Sequence, residues 1–117
     1  MKIRIKNLRL RTVIGINEWE RKVLQDIVVN LEFDFDGSAA AASDRIEDTV
    51  NYKKMTKRII EAVEKSSFYL LERLAEKILG IVMEDSRVLN ARVEVDKPHA
   101  LRFADSVSVS SERSQNG

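Results

Sequence analysis

The chain has 117 residues, no cysteine and one histidine, which fits a single domain and excludes a disulfide framework, a thiolate metal site and the multi-histidine zinc sites of hydrolases. Twenty basic residues against nineteen acidic ones leave a net charge of +1, without the basic excess of a dedicated nucleic-acid binder. The apolar runs are too short to span a membrane, and the charged, alternating start after Met1 has no secretory pattern, so a cytoplasmic location is expected.

Residues 2–14 alternate as a strand. Ile3 and Ile5 share one face and Lys2, Arg4 and Lys6 the other, but Leu8 and Leu10 then fall out of phase with them. Keeping the faces constant needs one extra residue, which predicts a β-bulge near Asn7. Gly15 permits a turn, and residues 17–22 form a polar loop holding the only tryptophan, Trp19. In the second strand, about 24–36, Ile27, Val29, Leu31, Phe33 and Phe35 face one way and Asn30, Glu32, Asp34 and Asp36 the other. Together these strands make an antiparallel hairpin with one buried face.

Residues 38–49 are a connection, with a short helical turn in the alanine run at 39–42. From Asn51, a candidate N-cap, the period becomes helical, with Tyr52, Met55, Ile59 and Val63 on one stripe. Ser66-Ser67 interrupts and can cap a second helix, whose stripe is Leu71, Leu74, Ala75, Ile78 and Val82. Two strands follow, around Ala91, Val93 and Val95 and around Val107 and Val109. Between them, Pro98 ends the ladder and opens a loop dense in functional groups. The order ββααββ predicts an α+β domain over residues 1–113, with an antiparallel sheet, both helices on one face, and a disordered tail at 114–117. Its long open sheet edges invite pairing with further copies, and a ring of subunits closing the sheets into a barrel would remove them.

Several side chains can carry chemistry, and each has a plainer reading. Glu20 is a solvated loop carboxylate or a site residue. Tyr52 is a packing tyrosine or a proton-transfer group. Glu72 favours the helix dipole in a first turn, or accepts two hydrogen bonds from a planar, guanidine-like ligand. Lys97 is an edge-strand gatekeeper or a proton-transfer lysine at a strand end. His99, alone, cannot form a zinc site. The basic residues Lys2, Arg4, Lys6, Arg9 and Arg11 read as a solvated strand face rather than an anion site, because the acidic residues cancel their field. No glycine-rich phosphate loop and no Ser/His/Asp arrangement is recognisable.

The stretches Ile14-Gly15-Ile16-Asn17-Glu18-Trp19-Glu20, Gln25-Asp26-Ile27-Val28-Val29-Asn30, Val50-Asn51-Tyr52, Leu70-Leu71-Glu72-Arg73-Leu74-Ala75-Glu76 and Lys97-Pro98 together resemble the dihydroneopterin aldolase family. The resemblance covers residues 2 to about 112. Within the family the opening Ile3-Arg4-Ile5-Lys6-Asn7-Leu8-Arg9-Leu10-Arg11-Thr12 and the segment Asp96-Lys97 with His99-Ala100-Leu101-Arg102-Phe103-Ala104-Asp105 are similar to the branch that epimerises dihydroneopterin triphosphate at C2'. What this implies is the tunnelling fold, a tetrameric ring that usually stacks into a homo-octamer, active sites between subunits, and neither a metal nor a cofactor. Membrane and nucleic-acid partners are not expected. The same resemblance implies Glu72 as the pterin anchor, helped by backbone groups near Leu71 and Asn51. It implies Lys97, Glu20 and Tyr52 as the catalytic residues: Lys97 as the acid/base group, Glu20 orienting the side-chain hydroxyls and supporting Lys97, and Tyr52 of a neighbouring subunit assisting at C1'. Arg102 and His99 are the candidates for the triphosphate, with Arg21, Lys22 and Lys53 as further cations. The activity it implies is epimerisation with side cleavage, the alternative being a plain aldolase of folate synthesis.

Overall fold

In a computed structural model describing residues 1–115, the elements in chain order are β1 (Lys2–Ile14), a 3-10 turn (Glu18–Lys22), β2 (Gln25–Phe35), α1 (Ser38–Ser43), a second 3-10 turn (Ile46–Asp48), α2 (Tyr52–Glu64), β3 (Ser67–Phe68), α3 (Leu71–Val82), β4 (Val88–Pro98) and β5 (Ser106–Ser114). The sheet order is β3-β1-β2-β4-β5. Alternation in β2 does what the pattern requires. Ile27, Val29, Leu31, Phe33 and Phe35 are buried while Val28, Asn30, Glu32 and Asp34 are not. Each buried side chain of this size stabilises the fold by about 1.5–3 kcal/mol relative to exposure.

The expected bulge lies between Ile5 and Leu8. Asn7 takes a left-handed backbone conformation (φ 53°), which asparagine tolerates better than most residues. Its N–H donates to Asn30 Oδ1 (2.9 Å) and its own Oδ1 accepts from Asn30 Nδ2 (3.3 Å). Met55, Ile59 and Val63 of α2, and Leu74, Ala75, Ile78 and Val82 of α3, pack into one core with the inner faces of β1, β2 and β4.

Two features differ from the sequence reading. The sheet is mixed rather than antiparallel, because Ser67-Phe68 form a fifth strand parallel to the end of β1 instead of capping a helix. Helix α3 accordingly starts from Leu70 with no side-chain cap. Second, Tyr52 is half exposed, since the packed stripe of α2 begins only at Met55. The alanine run forms the expected helical turn, α1, which buries none of its residues. The ladder of β5 runs through Ser114, which pairs with Asn90, and Gln115 N–H donates to Leu89 O (3.0 Å). Residues 116–117 of the expected tail lie outside the described residues. Among the described residues no helix is long and apolar enough to cross a membrane.

Candidate active site

The neighbouring strands β1, β2 and β4 converge at one end of the sheet. There the chain leaves β1 at Ile14, turns through Gly15, and presents Glu20 from the 3-10 turn before entering β2 at Gln25. Lys97 comes from the end of β4, 77 residues away in sequence, and its Nζ donates to Glu20 Oε2 at 2.5 Å. Glu20 is 3% exposed, an unusual place for a carboxylate without a partner. Burial alone would raise its pKa. The Lys97 ammonium, the Gln25 amide and the Asn17 backbone N–H outweigh that and hold it at about 2, against an ordinary 4.5.

The surrounding backbone is shaped around this carboxylate. Gly15 has φ +132°, and a Cβ there would sit 2.2 Å from the Glu20 carboxylate. Only glycine accepts both the conformation and the approach. Gly15 N–H donates to Phe68 O (3.1 Å), tying the loop to β3. Arg21 Nη1 donates to Gly15 O (3.0 Å) and Phe68 O (2.6 Å), and its guanidinium lies 3.8 Å from the centre of the Tyr69 ring. Arg21 therefore fastens the loop to the strand leading into α3, which removes it from the cations free to meet a phosphate.

Leu71 and Glu72 open α3 two and three residues beyond Tyr69, so they belong to this same end. Leu71 is buried. Glu72 is exposed, and its side chain carries no hydrogen bond or ion pair among the described residues. His99 and Arg102 follow Lys97-Pro98 in the exposed β4–β5 loop. His99 has φ 65°, and the Arg102 guanidinium lies 5.7 Å from the ring centre of Phe103, which is 95% exposed.

Asn51 and Tyr52 do not join them within one chain. The Thr12 hydroxyl donates to Val63 O (2.8 Å) and Ser66 O (3.1 Å), so the C-terminal end of α2 is the end near the site. Helix α2 has 13 residues, which places its N-terminus about 18 Å away along the axis. Asn51 Oδ1 is also engaged, accepting Lys54 N–H (3.2 Å) as the helix cap.

The sequence reading gave no role to Gln25 or Asn17, and gave Gly15 only that of permitting a turn. The glycine and the Asn17–Glu20 spacing of one helical turn were visible signals. Gln25 reads only as a polar strand opening.

Comparison with known proteins shows the family. A family model described as FolB, dihydroneopterin aldolase, matches residues 3–112. The chain belongs to the dihydroneopterin aldolase family. Within that family it is 51% identical over 108 residues to dihydroneopterin triphosphate 2'-epimerase of Pseudomonas aeruginosa, covering 92% of this chain and 88% of the relative. It is 31% identical over 112 residues to dihydroneopterin aldolase of Escherichia coli, covering 96% and 92%. The crystal structure of the E. coli aldolase in complex with neopterin superposes with a TM-score of 0.91 at 30% identity, covering 97% of this chain and 98% of that one. The architecture is thus the tunnelling fold of the family, in an α+β chain.

Proposed function

We propose that this chain is an epimerase that inverts C2' of 7,8-dihydroneopterin triphosphate to 7,8-dihydromonapterin triphosphate by retro-aldol cleavage and re-addition, with aldolase activity on the side. The observation that carries the chemistry is the buried Lys97–Glu20 pair, at 2.5 Å, at the end of the sheet from which α3 presents Glu72. Support for the epimerase over the aldolase comes from 51% identity to the first kind of relative against 31% to the second.

The substrate's N5=C6 imine accepts electrons that a lysine Schiff base or a metal takes up in other aldol reactions. Lys97, as the neutral amine, takes the proton of the C2' hydroxyl, directly or through one water. As its proton leaves, the C1'–C2' bond breaks, its electron pair becomes the C1'=C6 double bond, and N5 takes a proton. The C2' oxygen becomes an aldehyde. If that aldehyde turns over and C1' attacks its other face, C2' is inverted and the protons return. If it leaves, C1' takes a proton and N5 gives its proton up, which restores the N5=C6 imine, and the products are 6-hydroxymethyl-7,8-dihydropterin and the aldehyde. Glu20 keeps Lys97 Nζ in place. Glu72 accepts from the pterin 2-amino group and N3–H, with backbone groups at Leu71 and Asn51 beside it. Tyr52 assists at C1' from a neighbouring copy.

The last point requires assembly, and we read the chain as forming a tetrameric ring, stacked as an octamer. The β5 edge and the β1 edge before Val13 are open among the described residues. Ile16, Trp19, Leu70, Leu101 and Phe103 are exposed around the site end. A cytoplasmic location fits this small-molecule chemistry.

The deciding experiment gives purified protein 7,8-dihydroneopterin triphosphate and, separately, 7,8-dihydroneopterin. Faster conversion of the triphosphate to its C2' epimer supports the reading. Mainly hydroxymethylpterin from the unphosphorylated substrate makes the chain an aldolase. Arg102→Ala is expected to weaken the triphosphate substrate selectively. Arg102 carries no ion pair among the described residues and follows Lys97 by five positions. An equal effect on both substrates removes Arg102 from the phosphate role, leaving His99 as the candidate to test next.

A further inference from the structure

Every acceptor site of the Glu20 carboxylate is filled by the protein itself. Oε1 accepts from the Asn17 backbone N–H (3.1 Å) and from Asn17 Nδ2 (2.8 Å). Oε2 accepts from Gln25 Nε2 (2.9 Å) and from Lys97 Nζ (2.5 Å). An ionised carboxylate offers about four lone-pair sites, so none remains for a ligand hydroxyl. Gly15 packs so closely on this carboxylate that even a Cβ there would lie 2.2 Å from it.

We infer that Gln25 is a positioning residue: with Asn17 it holds Glu20 as a fixed anion aimed at Lys97, so that Glu20 orients the lysine and does not itself touch the hydroxyls of the substrate side chain. This rests on the proposed proton-transfer role of Lys97. The geometry leaves Gln25 no alternative orientation. Its Nε2 uses one hydrogen on Glu20 and the other on Ile14 O (2.7 Å). Flipping the amide would set its carbonyl oxygen against two acceptors. Ile14 belongs to the strand end that also carries Gly15, so the donor is fixed to the same backbone as the loop it serves. Among the described residues Lys97 is the charged group bonded to Glu20, and Arg21, next on the same turn, is turned toward Gly15 O and Phe68 O. A glutamine is the side chain this position needs. It reaches two acceptors with one NH2 group and, unlike an acid, adds no charge beside Glu20. Losing a donor to the charged form raises the pKa of a carboxylate.

The test uses Gln25→Met, which keeps the length and removes the donor, and Asn17→Ala, which removes one exposed donor and leaves the core untouched. In the whole protein labelled with 13C at glutamate carboxyls, Glu20 is expected to titrate about one pH unit higher in Gln25→Met than in the wild type, and by less in Asn17→Ala. The acid limb of kcat/KM should move the same way, with KM at neutral pH unchanged. Superimposable Glu20 titrations in wild type and both variants overturn the inference. If Gln25→Met does not fold, Gln25→Leu, which also lacks the donor, decides. If the wild type turns over no dihydropterin, the proposed function fails, while the carbon titration still decides the role of Gln25. A raised KM with an unmoved acid limb would mean that Glu20 meets the substrate after all.

Discussion

The two ends of the subunit are built to different standards. At the end holding Glu20 and Lys97, the glutamate is buried and bonded on both oxygens, the lysine is nearly so, and a glycine and an arginine fix the loop. At the end holding Asn51 and Tyr52, the tyrosine is half exposed, and among the described residues the polar contact made by these two side chains is a helix cap. Catalytic geometry demands groups held in place before substrate arrives. One end meets that demand within a single chain. The other does not, and under the proposed assembly its exposed aromatic ring is what a neighbouring copy would meet.

Breaking the finished end should have the largest effect. Lys97→Ala is expected to lower turnover by about 10³-fold while pterin binding, measured by ligand fluorescence, persists. The comparison sharpens when this variant is co-expressed with Tyr52→Phe, itself impaired. If the two ends meet across an interface, about one quarter of the sites in random hetero-oligomers regain both residues, and activity rises above that of either parent. Activity no greater than the sum of the parents would place Lys97 and Tyr52 of one chain in the same site and overturn the divided reading.

The finished end should also leave a mark on stability. Glu20 has its pKa depressed from 4.5 to about 2 by its donors. Its contribution is therefore fully present above the unfolded value, near pH 4.5, and is lost as pH falls toward the folded value. That difference corresponds to about 3 kcal/mol. Glu20→Gln should lose a comparable amount at neutral pH and show a flatter decline between pH 4.5 and 2.5 in denaturant titrations. A variant curve parallel to the wild type would show that the pair does not stabilise the fold. Gly15→Ala combines a rarely adopted φ with a collision against the same carboxylate. It should cost roughly 2 kcal/mol and depress turnover along with stability.

The same contrast explains what could be read without coordinates. Strand β2 was legible because burial on one face leaves a period of two, and the stripe of α3 because burial leaves a helical period. The bulge at Asn7 followed from a phase slip. Strand β3 was not legible. Two residues pair with β1 only because the fold brings them there, and a serine pair looks the same as a cap. Tyr52 shows a different limit: periodicity gives the side of a helix on which a residue lies, not whether anything lies opposite. The residue types at Glu20 and Lys97 suggested chemistry, but nothing in a spacing of 77 residues joins them, and family resemblance supplied that link. Gln25 stayed invisible because its function is a pair of hydrogen bonds to partners that the sequence does not put side by side.

The smallest effect expected is at Asn51, and it separates two roles that the sequence leaves merged. The side chain accepts Lys54 N–H and so satisfies one of the unpaired donors at the start of α2. The role implied for ligand binding belongs instead to the backbone at this position. Asn51→Ala should therefore lower stability by about 1 kcal/mol, the usual cost of losing an N-cap, and leave pterin affinity nearly unchanged. Asn51→Asp should restore stability, because an aspartate caps as well and also favours the positive end of the helix. Loss of pterin affinity in Asn51→Ala with stability intact would invert the assignment. The side chain would then be a ligand contact, and the exposed end of the subunit would be less unfinished than it looks in one chain.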